Sequence, residues 1–140
     1  MPKLLIFAPC EKVLIDQTTN SLSLIAVLQE VHYKLPPGSA VPPNFSLPIA
    51  WSALSLWQEE SADAGVIFEQ RITVENRAGS TLLENVAQWE FTQPNHRIVA
   101  SVLGLPVYDK LSLNLFFRVV GSRDWHNVAS FPISLIKDVL

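Results

Sequence analysis

The sequence is short of several things, and each shortage closes a class of explanation. It holds one cysteine, Cys10, in 140 residues, so no internal disulfide framework can form and the core alone must hold the fold. Its five glycines are never closely repeated, which excludes the glycine-rich loops that cradle phosphates. Charged residues make up 16% of the chain, against about 25% in an average soluble domain. The formal charge is -3 and the basic residues are scattered singly, so no basic field exists to attract nucleic acid. An amphipathic helix of three turns, an internal repeat and a low-complexity tract are all missing. No stretch approaches the ~18 apolar residues of a membrane-spanning helix. The run Leu4-Leu5-Ile6-Phe7-Ala8 is too short for a signal-peptide core, and Pro9 stands before Cys10 where a lipoprotein signal needs a small residue. The expectation is a cytoplasmic protein that does not enter the membrane.

What is present is alternation. From Lys110 to Val120, Leu111, Leu113, Leu115, Phe117 and Val119 share one side. Lys110, Ser112, Asn114 and Arg118 share the other, with Phe116 and Val120 as apolar exceptions. That period of two is the pattern of a pleated strand. Gly121-Ser122-Arg123-Asp124 and a return strand from Trp125 to Phe131, interrupted at Pro132, complete a hairpin. A second hairpin joins Val66–Glu75 to Ser80–Phe91 through Asn76-Arg77-Ala78-Gly79. Near the start, Leu4–Ile15 carries Pro9, which cannot donate to a ladder and marks an edge or a bulge. The polar turn Asp16–Asn20 leads from it into an alternating run, Ser21–Val31.

Between these lie Phe45, Leu47, Ile49, Trp51 and Ala53, which share a face of a strand running on toward Trp57. Arg97–Leu103 is a short strand. Leu35–Asn44 contains four prolines and reads as a stiff crossover between sheets; without Pro-x-x-Pro spacing it is not read as a docking segment. Ile133–Leu140 fits a last strand or a terminal helical turn equally well.

About eight strands, separated by turns every 8 to 15 residues or so, indicate an all-β fold. The expected architecture is a single domain over residues 1–140, an antiparallel two-sheet β-sandwich of immunoglobulin-like or related Greek-key topology. A small closed barrel is the second choice. The feature order is similar to that of small uncharacterised bacterial β-sandwich proteins, a family of unknown function. The matching residues are Cys10-Glu11, then Asp16, then Ser21, Leu22, Leu24 and Ile25 before the proline-rich crossover. The resemblance implies a sandwich and brings no established activity with it.

Catalytic chemistry finds little support. A thiol nucleophile needs a lowered pKa and a base within reach, whereas Cys10 lies in an alternating strand and His32, His96 and His126 are far apart. Cysteine and histidine show no metal-ligand spacing. Strands alternating in direction would gather at one end the turns holding Asp16, Glu59-Glu60-Asp63, His96 and Asp124. Asp16, Glu60, Asp63 and Asp124 are therefore the only candidates for a hard cation such as calcium. No Asp-x-Asp-x-Asp run supports them, and a solvated acidic rim is the simpler reading. Trp51 and Trp89 share faces with core residues, while Trp57 and Trp125, near strand ends, stay open as stacking surfaces.

No catalytic residue, cofactor or metal is assigned. The expected function is a non-enzymatic interaction or assembly module that self-associates, or binds another protein, through an apolar sheet surface or an edge strand. Neither nucleic acid nor membrane is an expected partner. The alternative is a sandwich that binds a small ligand or a cation at its acidic loop end.

Overall fold

Leu111, Leu113, Leu115 and Phe117 are all buried, and the molecule closes over the strand that carries them. The computed structural model describes residues 1–42 and 44–138. In chain order its strands are β1 (Lys3–Ile15), β2 (Leu22–Val27), β3 (Glu30–Lys34), β4 (Ser46–Gln58), β5 (Ile67–Asn76), β6 (Thr81–Glu90), β7 (Asn95–Pro106), β8 (Lys110–Val119) and β9 (His126–Asp138). One 3-10 turn, Ser61–Asp63, is the sole helical element among the described residues. The fold is all-β in two sheets, with orders β2-β1-β4-β7 and β3-β9-β8-β5-β6. The five-stranded sheet curls toward a half-barrel.

One core lies between the sheets. Trp51, Ala53 and Trp57 of β4 and Ala100 of β7 face Phe68, Ile72 and Val74 of β5, Trp89 of β6 and the leucines of β8. Trp57 stacks on Trp89 at 5.2 Å and touches Phe117 at 5.4 Å, and Phe68 meets Trp89 at 5.4 Å. Each such ring removes 150–250 Å² from water or thereabouts, an upper contribution of roughly 4–6 kcal/mol. One polar group sits inside: Gln70 Oε1 accepts from Ser55 Oγ at 2.7 Å and from Trp57 Nε1 at 3.0 Å. Trp57, open at the sequence level, is therefore a core residue held by a specific partner.

Several expectations need correction. Among the described residues there are nine strands where about eight were expected, and the run Ser21–Val31 contributes to two of them. β2 pairs with β1, but β3 joins the other sheet, parallel to β9, so the sheets are not wholly antiparallel. β7 is longer than Arg97–Leu103 because β4 supports it over eleven paired positions from Ser46↔Pro106 to Gln58↔Asn95. The Leu35–Asn44 segment does cross between sheets, from β3 to β4, and Pro43 lies outside the described residues.

Neither Pro9 nor Pro132 breaks its strand, and the reason is shared. Pro9 O accepts from Leu28 N at 3.0 Å, so its donorless nitrogen faces the point where β2 has already ended. Ser134 N donates to Gln29 O, so the nitrogen of Pro132, two residues earlier, faces the same flank before β3 begins. No ladder donor is required at either place. β9 thus continues to Asp138, which resolves the ambiguity of Ile133–Leu140 as strand up to that residue; positions 139–140 lie outside the described residues. The first bulge falls between Leu4 and Ile6 instead. It puts Leu4 and Phe7 against the core and turns Ile6 outward, which strict alternation would not allow.

The β1–β2 hairpin folds back on its own sheet. β1 pairs with β4 only as far as Cys10 and with β2 from there on. Yet Asn20, at the tip, accepts from Arg97 Nη2 at 2.8 Å, and Arg97 sits beside Leu56 on the ladder. The bend coincides with Ala26, whose φ of 55° is left-handed and which interrupts the pairing between Cys10↔Val27 and Lys12↔Ile25. The register is the same on both sides of it, so the strand bends through the left-handed backbone of one residue and not through an inserted one. Beneath the tip lies a groove of about 700 Å³ lined by Ile6, Leu22, Leu56, Asn20, Arg97 and the Thr92–His96 loop.

Candidate functional site

The outward side of β5 and β8 departs from an ordinary solvated surface. Since Phe68, Ile72 and Val74 face the core, Glu69, Arg71, Thr73 and Glu75 face out; by the same parity so do Ser112, Asn114, Phe116 and Arg118. The register sets them in rows across the sheet. Gln88, Glu69 and Arg118 form one, Val86, Arg71, Phe116 and Asn127 the next, and Glu84, Thr73, Asn114 and Ser130 the third. Despite facing out, Glu69, Thr73 and Asn114 are buried, because the sheet curls and long side chains close over them.

Most of these groups are paired. Arg118 Nε donates to Glu69 Oε1, and Gln88 Nε2 approaches Glu69 Oε2 at 3.4 Å. Asn114 Nδ2 donates to Glu75 Oε2 at 2.6 Å, while Ser112 and Ser130 hydroxyls both donate to Asn114 Oδ1, at 2.9 and 2.7 Å. Charge-assisted bonds of this kind hold the rows rigid.

Arg71 and Thr73 are the exceptions. The Arg71 guanidinium carbon lies 4.8 Å from the centroid of Phe116 and 5.0 Å from that of Trp125, and Arg118 sits 4.1 Å from the same indole. Arg71 takes part in no ion pair among the described residues, and its Nε is sealed without an acceptor. Thr73 is 3% exposed and its Oγ1 has no partner either. An orphaned buried polar group costs about 1–3 kcal/mol, so two side by side on an otherwise satisfied face demand a reason. Glu69 is ion-paired with Arg118, and Glu75 keeps its charge while accepting from the neutral Asn114 amide; Arg71 is the cation of this face that touches no carboxylate. Such an arrangement can receive an anion. It presents no nucleophile paired with a base.

The residues singled out from the sequence occupy other places. Asp16 turns the hairpin tip, its Oδ1 accepting from the N–H of Thr18 at 2.8 Å and Thr19 at 2.9 Å; those bonds, Thr19 first, hold its carboxyl below the usual range. Glu60 and Asp63 are brought together by the 3-10 turn, where Asp63 Oδ2 accepts from Glu60 N at 2.8 Å. The Met1 amine stands 3.4 Å from Asp63. Asp124 lies in the β8–β9 turn. Among the described residues no three His, Cys, Asp or Glu side chains gather as a metal site would need.

Cys10 is fully buried on the outward side of the four-stranded sheet, and burial pushes its thiol up. His96 stacks on Trp89 with the rings 4° from parallel. His32 lies between Asp138, 2.8 Å from Nδ1, and Glu30, 2.5 Å from Nε2. Sequence reasoning missed Arg71 and Thr73, although Phe116 as an apolar exception on a polar face, and Trp125 without a core role, both pointed to this spot. No helix among the described residues is long and apolar enough to cross a membrane. No protein-family model, curated protein or solved structure matches the chain.

Proposed function

We propose that the chain is a non-enzymatic interaction module that self-associates through the outer surface and free edge of its four-stranded sheet. The observation that carries this is β7. It pairs with β4 alone, leaving a twelve-residue edge, and it exposes Val99 and, at 80%, Leu103. Leu103 lies beside the exposed Ala50 of β4, so the apolar strip reaches onto the second strand there, while Leu54 beside Val99 is buried. Long, apolar, unblocked edges invite pairing with a second chain.

Sedimentation tests the proposal. The wild type is expected to dimerise at micromolar concentration, and a Val99→Lys, Leu103→Lys double variant is expected to sediment as a monomer with an unchanged melting curve. A strictly monomeric wild type overturns it.

An immunoglobulin-like topology accompanies this reading. The support is that β1, β4 and β7 are neighbours in one sheet, matching A, B and E, while β5, β8 and β9 are neighbours in the other, matching C, F and G. β6 then extends the second sheet beyond C. A cytoplasmic location is supported by the lone free cysteine.

A further inference from the structure

Arg71 lies on the sheet opposite to that of β7, so what it does is independent of self-association. We propose that Arg71 and Thr73, framed by Phe116 and Trp125, form a receptor for a single carboxylate group. Four observations converge. The guanidinium lies against two aromatic rings, Phe116 and Trp125, which restrict where its fork can go. It has no carboxylate of its own, although Glu69 is the adjacent outward residue on one side and Glu75 lies beyond Thr73 on the other. Glu69 is ion-paired with Arg118, and Glu75 is turned toward the Asn114 amide. The Thr73 hydroxyl, next on the same face, is a buried donor without an acceptor.

A planar fork with an adjacent hydroxyl matches the two oxygens of a carboxylate. The same surroundings disfavour a phosphate dianion. Only one cation is unspent, and Glu69, Glu75 and Glu84 lie around it on the same strand and the next. The carboxylate can belong to an acidic side chain of a protein partner or to a free carboxylic acid; the chemistry of recognition is shared.

The test is a titration of the full chain, followed by NMR at the Arg71 Nε–H and the Trp125 indole N–H. The probes are acetate, an amidated peptide carrying one glutamate, and inorganic phosphate, all at constant ionic strength. Saturable shifts at both positions with acetate or with the peptide are expected, with at least tenfold weaker binding in Arg71→Gln and unchanged binding in the control Arg97→Gln. The peptide binding tenfold tighter than acetate assigns the carboxylate to a protein partner; equal affinities assign it to a small acid. Thr73→Val provides the second variant, because it keeps shape and removes the orphan hydroxyl. Its melting temperature is expected to rise while acetate affinity falls several-fold. Linear, non-saturating shifts, equal affinity in Arg71→Gln, phosphate binding tighter than acetate, or Thr73→Val raising stability with no loss of affinity would each overturn the proposal.

Discussion

Arg97 donates through Nη2 to Asn20 Oδ1 at 2.8 Å, across 77 residues of chain, and through Nη1 to the Asn20 carbonyl at 3.5 Å. These bonds tie the tip of a hairpin to the sheet it springs from. The tip is otherwise held by its own turn, in which Asn20 N donates to the Asp16 carbonyl at 2.7 Å and Asp16 N to the Ser21 carbonyl at 2.9 Å.

Cutting that tie is expected to loosen the flap without disturbing the core. Arg97→Gln should cost about 0.5–1.5 kcal/mol, the usual net worth of a hydrogen bond. Amide exchange at Asp16 and Asn20 should accelerate while β5 and β8 keep full protection, as for a local opening. Hydrogen exchange read by NMR checks this, and unaltered protection at the tip would show that the turn holds itself.

Ala26 offers a case of stored strain. A left-handed alanine costs on the order of 1 kcal/mol or more, which glycine avoids at the expense of greater chain entropy. Ala26→Gly is expected to be neutral to stabilising, by up to about 1 kcal/mol, and Ala26→Val to destabilise by more than that because a β-branched residue tolerates positive φ poorly. Thermal melts should place Ala26→Gly at or above the wild type and Ala26→Val below it.

The polar group in the core is expected to behave as a unit. Gln70→Leu strands both the Ser55 hydroxyl and the Trp57 indole N–H but also removes the unpartnered Gln70 Nε2, and should cost roughly 1–3 kcal/mol, the net of one orphaned group. Ser55→Ala alone should cost nearer 1 kcal/mol, the worth of one bond. In Ser55→Ala combined with Gln70→Leu only the indole is left unpaired, so the double variant should be more stable than the sum of the singles implies. Urea denaturation of all four proteins gives the coupling.

Two histidines should pull the pH dependence of stability in opposite directions. His32 is raised, by its hydrogen bonds to Asp138 and then Glu30. Its contribution is complete below the unfolded value of about 6.5 and is lost as pH climbs through the raised folded value. His96 is lowered by burial, so the fold prefers it neutral. Its contribution is complete above about 6.5 and is lost as pH falls through the depressed folded value. Melting temperature in His32→Asn should therefore fall less on going from pH 6 to about 8, or rise, and in His96→Phe should fall less between about pH 6.5 and 5. Melts across that range, with salt held constant, read both.

Much of the architecture was legible in period-two patterning. The β8 face, the β5–β6 hairpin with its Asn76–Gly79 turn and the crossover at Leu35–Asn44 follow from local residue order, because a pleated backbone exposes alternate residues and proline and glycine punctuate it. The errors came where neighbours matter. Pro9 and Pro132 resemble strand breaks until the flank their nitrogens face is known, and Ser21–Val31 resembles one strand until Ala26 turns left-handed and β3 leaves for the other sheet.

The same division holds for the site. Composition alone was sufficient to commit this chain to extended structure around an oily interior without disulfides, since one cysteine, few glycines and long alternating runs leave no other way to bury so much apolar surface. It was not sufficient to separate Arg71 and Thr73 from the solvated residues around them. Which acid reaches which base is a matter of lateral register: Glu69 meets Arg118 across the β5–β8 ladder, and Arg71 meets Phe116. That pairing joins residues more than forty positions apart, a relation that no local pattern encodes and that exists once the sheet has formed.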